Sequence, residues 1–308
     1  MRYLVVGAGA LGGYFGGRLL EAGRDATFLL RPGRARALAS TGLVVKSRFG
    51  DLAISTPPHV LADGIAGPYD VVIVGCKAYD LAETMESFAP AVGRDTAILP
   101  MLNGMRHLDD LEARFGAARV LGGLCMISAT LDAEGTIQHL NDLHTLVFGE
   151  LDGTSSKRVE QIAADFSTAK FDSRATPLIL QEMWEKWVFI ASAAGATCLM
   201  RASIGDIVGA GGADINLRIV DECCAIAAAS GFAPRQPSVE RIRAAVTAPG
   251  SPISASMLKD MERGAAVEAN HVLGDLLARA PKDAPALSVL RIAYVHLKAY
   301  EARRAAAR

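Results

Sequence analysis

The segment Gly7-Ala8-Gly9-Ala10-Leu11-Gly12 constrains this 308-residue chain more than any other. Glycines spaced G-x-G-x-x-G also occur in ordinary turns, so context decides what they mean. Tyr3-Leu4-Val5-Val6 precedes them as a short apolar run, the pattern of a strand buried on both faces. Ala10 to Ala22 follows with helical spacing, and Gly23 stands where a helix C-cap belongs. Ala26-Thr27-Phe28-Leu29-Leu30 is a second strand, so residues 2–30 form one strand–helix–strand unit. In such a unit the first glycine permits a tight turn, the second lets backbone approach a pyrophosphate, and the third lets helix pack on strand. The free N–H groups at the helix start then face the phosphates. Residues 7–12 are thus expected to hold a dinucleotide.

Which dinucleotide is read at the end of the second strand. Sites for NAD place an Asp or Glu there, against the ribose 2′-hydroxyl. This chain places Arg31 after Leu30, with Arg34 three residues on, and Asp25 lies before the strand. A guanidinium matches a 2′-phosphate through paired hydrogen bonds, so the expected cofactor is NADP(H).

The strand–helix alternation continues. Val71–Val74 and Thr96–Leu99 read as strands, Ala78–Phe88 and about Leu108–Phe115 as helices, which implies a parallel sheet covered on both faces. After Arg119 the pattern changes. Segments 120–129, 136–140 and 145–148 read as strands of a meander, separated by Asp132-Ala133-Glu134-Gly135 and Asn141-Asp142. From Pro177 on, the stretches 178–200, 213–231, 253–279 and 285–303 carry helical periodicity. The expected organisation is a Rossmann-like α/β domain over 1–175, a parallel sheet with added antiparallel strands. An all-α domain over 176–308 completes the substrate site and offers surface for a homodimer, the commonest assembly.

With 51% hydrophobic and 21% charged residues the chain can bury two cores, and a net charge of −1 offers nothing to nucleic acid or an anionic membrane. The longest apolar stretch, Val188–Met200, has 13 residues, short of the ~20 that span a bilayer. A cytoplasmic protein is expected. Its five cysteines include no C-x-x-C pair, and adjacent Cys223 and Cys224 read as buried small hydrophobes. The scattered histidines 107, 139, 144, 271 and 296 make no metal-ligand spacing; His271, three residues after Glu268, is the one that merits testing.

Parallel sheets bind ligands at the carboxyl ends of their strands. Gly75-Cys76-Lys77 and Pro100-Met101-Leu102-Asn103-Gly104 both lie there. Position alone leaves Lys77 as either a site residue or a solvated one, and Asn103 as either a site residue or a turn former. Trp184-Glu185-Lys186-Trp187 opens a very apolar helix. A lysine between two tryptophans suits proton donation if desolvated, and it equally suits snorkelling to water.

The order of these features resembles the ketopantoate reductase (2-dehydropantoate 2-reductase) family over essentially the whole chain. It runs Gly7-x-Gly9-x-x-Gly12, Arg31, Lys77, Asn103-Gly104, Trp184-x-Lys186, then Ser256-Met257-x-x-Asp260-x-x-x-Gly264-x-x-x-Glu268. The last segment is the most specific element. The resemblance implies NADPH-dependent reduction of a small-molecule 2-oxo acid, 2-dehydropantoate, in pantothenate biosynthesis. It implies Lys186 as general acid on the substrate carbonyl, Glu268 holding a substrate hydroxyl and orienting the lysine, and Ser256 on the carboxylate. Asn103 and Lys77 would line the nicotinamide end, where Glu268 also reaches. The chain departs from the family where asparagines usually stand four and eight residues after the lysine, since Ile190 and Ala194 occupy those positions. The shared helix face 186, 190, 194, 197 is then apolar up to Thr197, the one polar group left there for substrate. The acidic segment also reads Val267-Glu268-Ala269-Asn270, where the family more often has Thr-Glu-x-Asp. Two alternatives follow: a reductase of the same family for a less polar 2-oxo acid or ketone, and an NADP(H)-binding sensor without turnover.

Overall fold

Ten strands and five helices build the N-terminal half of the chain, and the computed structural model describes residues 1–282, 284–285 and 287–307. The strands are β1 (Arg2–Val6), β2 (Asp25–Leu29), β3 (Leu43–Lys46), β4 (Leu52–Ile54), β5 (His59–Val60), β6 (Val71–Val74), β7 (Ala97–Pro100), β8 (Leu121–Leu131), β9 (Ile137–Glu150) and β10 (Asp172–Ala175). The helices are α1 (Ala10–Glu21), α2 (Pro32–Thr41), α3 (Leu81–Phe88), α4 (Arg106–Phe115) and α5 (Lys157–Phe166). Two compact units divide the chain: Met1–Leu102 with His107–Ile179, and Asn103–Arg106 with the residues from Leu180 on. A boundary drawn at 175/176 takes no account of Asn103–Arg106, which groups with the helices.

In the first unit, the apolar runs of β1, β6 and β7 are buried along nearly their whole length, as a covered parallel sheet requires. The sheet order is β5-β2-β1-β6-β7, and every pair in it is parallel. A second sheet runs β10-β9-β3-β4, with β8 antiparallel to β9. Helix α1 packs on both sheets, with Gly12 to Leu19 all buried. Space is tight there: a Cβ on Gly16 would lie 2.6 Å from the Phe28 ring, and one on Gly13 2.4 Å from Ile137. Small residues on α1 therefore replace helix propensity with close packing.

The expected three-strand meander is instead one long hairpin. Asp132–Gly135 turns the chain, but Asn141-Asp142 lies inside β9. The ladder slips between Ile127 and Ala129, and Asn141 Oδ1 accepts from the Ser128 N–H at 2.9 Å. An asparagine that satisfies a bulge from its side chain looks, in sequence, like one that makes a turn.

The second unit holds α6 (Ile179–Met200), α7 (Ile204–Gly209), α8 (Ala213–Ala229), α9 (Gln236–Thr247), α10 (Ser256–Glu262), α11 (Asp275–Ala278) and α12 (Val289–Ala306). Buried Asn216 on α8 donates to Val246 O on α9, and Glu222 accepts from Val289 N and Leu290 N at the start of α12. The expected helix over 253–279 is broken. It becomes α10, an extended stretch, a π-helical turn Asn270–Gly274 and short α11. Of the 285–303 stretch, Ala286 lies outside the described residues and the helix starts at Val289.

Asn141→Ala removes the acceptor that closes the β8–β9 bulge. Urea unfolding should show a loss of about 1 kcal/mol, the cost of one unmade hydrogen bond, with an unchanged circular dichroism spectrum. Wild-type stability would show that the bulge does not need that side chain.

Candidate active site

Strand β1 is flanked by β2 on one side and β6 on the other, so successive connections leave in opposite directions and open a crevice at the carboxyl ends. Gly7 turns the chain there at φ 86°. A Cβ on Gly12 would stand 2.2 Å from Gly7 O, so α1 reaches the end of β1 only because residue 12 lacks a side chain. A Cβ on Gly9 would meet nothing within 4 Å, and no side chain caps the first turn of α1. Ala8 is buried, while Ala10 and Leu11 are half-buried at the helix start. Open space in front of uncapped N–H groups fits a pyrophosphate.

Arg31 stands just before α2, exposed, with Nη2 3.0 Å from Glu83 and 3.6 Å from Asp80. Arg34 points elsewhere. Its Nε donates to Ala8 O at 3.0 Å and its Nη2 to Gly135 O, so it braces the glycine loop from α2. At the end of β6, a Cβ on Gly75 would touch Gly12 N at 3.3 Å and Met101 Cε at 3.0 Å. The exits from β1, β6 and β7 therefore converge, and Lys77 begins the turn two residues past that contact, half-buried.

In the helical unit, Lys186 is half-buried on α6. Successive helix positions are about 100° apart, so Trp184 and Trp187 project in other directions. Both rings belong to the core. They pack on each other at 4.9 Å, Trp184 stacks on Phe232, and the Arg279 guanidinium lies over both. Glu185, buried, takes two hydrogen bonds from the Arg235 guanidinium at 2.7 Å each, which anchors α6 from a third direction. Trp187 Nε1 donates to Val272 O at 2.9 Å.

That acceptor sits in the segment carrying Glu268. Helix α10 begins at exposed Ser256 and ends at Glu262, and Gly264 closes it: Gly264 N bonds Met261 O and Ala265 N bonds Asp260 O. This is the paired carbonyl closure that needs a left-handed residue, and Gly264 has φ 68°. The spacing from Ser256 through Gly264 to Glu268 is thus one short helix, its cap, and an extended return. Val267 and Ala269 are buried on either side of half-buried Glu268, whose carbonyl accepts from His271 N and Val272 N. The π-helical turn follows directly, and such turns recur at functional sites.

Asn103 joins the same unit. Gly104 turns at φ 77°, and a Cβ on it would lie 3.0 Å from His271 O and 3.3 Å from the His271 ring. The Asn103-Gly104 turn therefore rests on the π-helical segment. Thr197 is fully buried: its hydroxyl donates to Ala193 O at 2.7 Å and accepts from Ala255 N at 3.3 Å. It ties α6 to the residue before Ser256. Along the face shared with Lys186, Ile190 is half-buried and Ala194 buried.

The segments of Asn103, Lys186, Ser256 and Glu268 thus belong to one unit, and the glycine loop, Arg31 and Lys77 to the other. The Trp187–Val272 bond and the Gly104–His271 seat were missed by sequence reasoning. The only signal for them was a tryptophan beside the lysine and a glycine after the asparagine. Burial pushes the Cys198 and Cys223 thiols up to about 12, which leaves them inert. Among the described residues no cluster could hold a metal ion, and no helix is long and apolar enough to cross a membrane.

Comparison with known proteins matches residues 3–153 to the family Ketopantoate reductase PanE/ApbA and residues 178–301 to Ketopantoate reductase PanE/ApbA C terminal. The oxidoreductase YkpB of Bacillus subtilis (strain 168) is 38% identical over 306 residues, 99% of this chain and all of that protein. A 2-dehydropantoate 2-reductase structure from Geobacter metallireducens GS-15 is 29% identical, covers 97% of this chain and 99% of its own, and superposes with a TM-score of 0.87. A D-mandelate dehydrogenase solved with NADH and anilino(oxo)acetate shares the fold, with a TM-score of 0.86 at 18% identity over 99% of both chains.

Gly12→Ala sets a Cβ against the backbone oxygen of Gly7 and so should displace the α1 N-terminus, with a melting curve checking that the protein remains folded. Fluorescence titration should show NADPH affinity weakened at least about tenfold, the size of one lost charge-assisted bond. Wild-type affinity would mean the loop does not hold the cofactor.

Proposed function

The chain belongs to the ketopantoate reductase family of oxidoreductases, and we propose that it reduces a 2-oxo acid with NADPH, 2-dehydropantoate first among the candidates. A bound nicotinamide dinucleotide supplies the hydride. In this reading the backbone of Gly7, Ala8, Gly9, Ala10, Leu11 and Gly12 holds the pyrophosphate, and Arg31 takes the 2′-phosphate. Arg31 gives up little to do so. Its shorter pair is with exposed Glu83, and such exposed pairs are worth about 0.2–1 kcal/mol, less than the 1.5–3 kcal/mol of a hydrogen bond to a charged group. Half-buried Asp80 stands farther off at 3.6 Å. Lys77, Asn103 and Glu268 serve the reacting end.

The proton chemistry falls to Lys186. Its ammonium donates to the substrate carbonyl oxygen, stabilises the negative charge that develops there, and delivers a proton to it. Glu268 accepts from a substrate hydroxyl and orients the lysine. Ser256 donates to the substrate carboxylate, and Thr197 serves it indirectly by holding Ala255. The observation that carries this reading is the Trp187 bond to Val272: it ties the residue beside Lys186 to the segment that follows Glu268.

A second reading has its own observation. Ile190 and Ala194 make the wall beyond Lys186 apolar, so a polar substrate group facing it would lose a hydrogen bond worth about 1–3 kcal/mol. A 2-oxo acid with an apolar side chain loses nothing there.

Lys186→Ala should lower kcat by at least about 100-fold, the usual scale for a general acid, while NADPH still binds. Near-wild-type turnover would remove the lysine from the mechanism. Calorimetry should show NADPH bound more tightly than NADH, and equal affinities would refute the role of Arg31. Steady-state assays of 2-dehydropantoate beside 2-oxo acids with apolar side chains decide between the two readings. The higher kcat/KM names the substrate class, and no NADPH oxidation on any of them would defeat both.

A further inference from the structure

Arg201 is the one residue other than glycine with a positive φ among the described residues, at 53°. It follows the last residue of α6, and Ala202 N reaches back to Thr197 O, the closure in which glycine usually supplies the left-handed turn. An arginine held in that conformation is a strained choice that folding alone does not require.

Its side chain lines a pocket of about 520 Å³ with Gly264, Tyr300, Arg303, Arg304 and Ala307. It is an open surface depression rather than an enclosed cleft. Three arginines therefore line one open pocket, and none of its described lining residues is acidic. Among the described residues none of the three forms an ion pair, although the chain as a whole carries slightly more acid than base. The wall behind them is fixed: Arg304 Nε donates to Gly264 O at 2.8 Å and Tyr300 OH to Ala265 O at 2.7 Å. One helical turn before Tyr300, His296 Nε2 is buried with no hydrogen-bond partner. Burial, and then the charges of Arg201 and Arg303, hold that imidazole below its usual range, which registers the positive potential of the cluster.

We propose that this pocket is a second anion site, which binds the phosphate or pyrophosphate group of a small molecule. Planar guanidinium forks match phosphate oxygens in pairs, and several around one cavity favour a group with multiple charges over a single carboxylate. Every described residue of the lining belongs to the helical unit and none to the glycine loop.

The test is calorimetric titration of the NADP+-saturated protein with inorganic pyrophosphate, since the bound dinucleotide blocks phosphate at the glycine loop. Wild type should show one saturable site that weakens as sodium chloride rises. Arg201→Gly and Arg303→Gln should each weaken it at least about tenfold. Arg201→Gly should also melt at or above the wild-type temperature, because glycine accepts the positive φ that arginine resists, so lost binding cannot be lost folding. No saturable binding to wild type, or unchanged affinity in both variants, would overturn the proposal. The comparison among variants holds whichever nicotinamide dinucleotide fills the other site.

Discussion

One buried hydrogen bond, from Trp187 Nε1 to Val272 O, sets what the helical unit can do. An indole N–H and a backbone carbonyl taken out of water are costly unless they find each other, so their pairing is enforced rather than optional. The bond joins a long helix to an irregular segment that Tyr300, Arg304 and Tyr294 of α12 hold from the other side. On the helix side, Trp184, Phe232, Arg279 and the Glu185–Arg235 pair hold α6 in place. On the other side, Val272 N returns to Glu268 O within one turn, and His271 receives the Gly104 turn. Lys186, Glu268 and Asn103 come from three distant parts of the sequence, and this bond together with the Gly104–His271 seat ties the segments that carry them.

The glycine loop was legible because its physics is local. Gly7, Gly9 and Gly12 lie within one strand–turn–helix, where Gly7 takes a positive φ, a Cβ on Gly12 would strike Gly7 O, and a Cβ on Gly9 would meet nothing within 4 Å. Buried parallel strands were legible for the same reason, as continuous apolar runs. Strands β3, β4 and β5 were not, since two to four residues at a sheet's margin leave no periodicity to detect. Asn141 read as a turn because its signature is the same whether its side chain closes a loop or a bulge. Residues 253–279 read as one helix because the stretch is rich in Ala and Leu, and the cap at Gly264 turns on a single dihedral.

The site residues divide in the same way. Arg31 follows a strand end and could be placed from sequence; its carboxylate partners Asp80 and Glu83 could not, being about 50 residues away. The flanking tryptophans suggested a desolvated lysine, yet their rings serve the core and their service to the lysine is indirect. Thr197 looked like a polar group left for substrate. It is instead a fully buried brace between α6 and the start of α10, which only a folded chain can reveal.

If the Trp187–Val272 bond positions the reacting groups, replacing Trp187 by Phe disturbs them most directly. Phenylalanine keeps an aromatic ring in the core and removes only the donor, leaving Val272 O without its partner. Kinetics on the best 2-oxo acid, with NADPH affinity and melting temperature measured alongside, should show kcat reduced at least about tenfold. NADPH binding should stay at the wild-type level and the protein should remain folded. An unchanged kcat in a folded Trp187→Phe protein would show that the bond does not position the reacting groups.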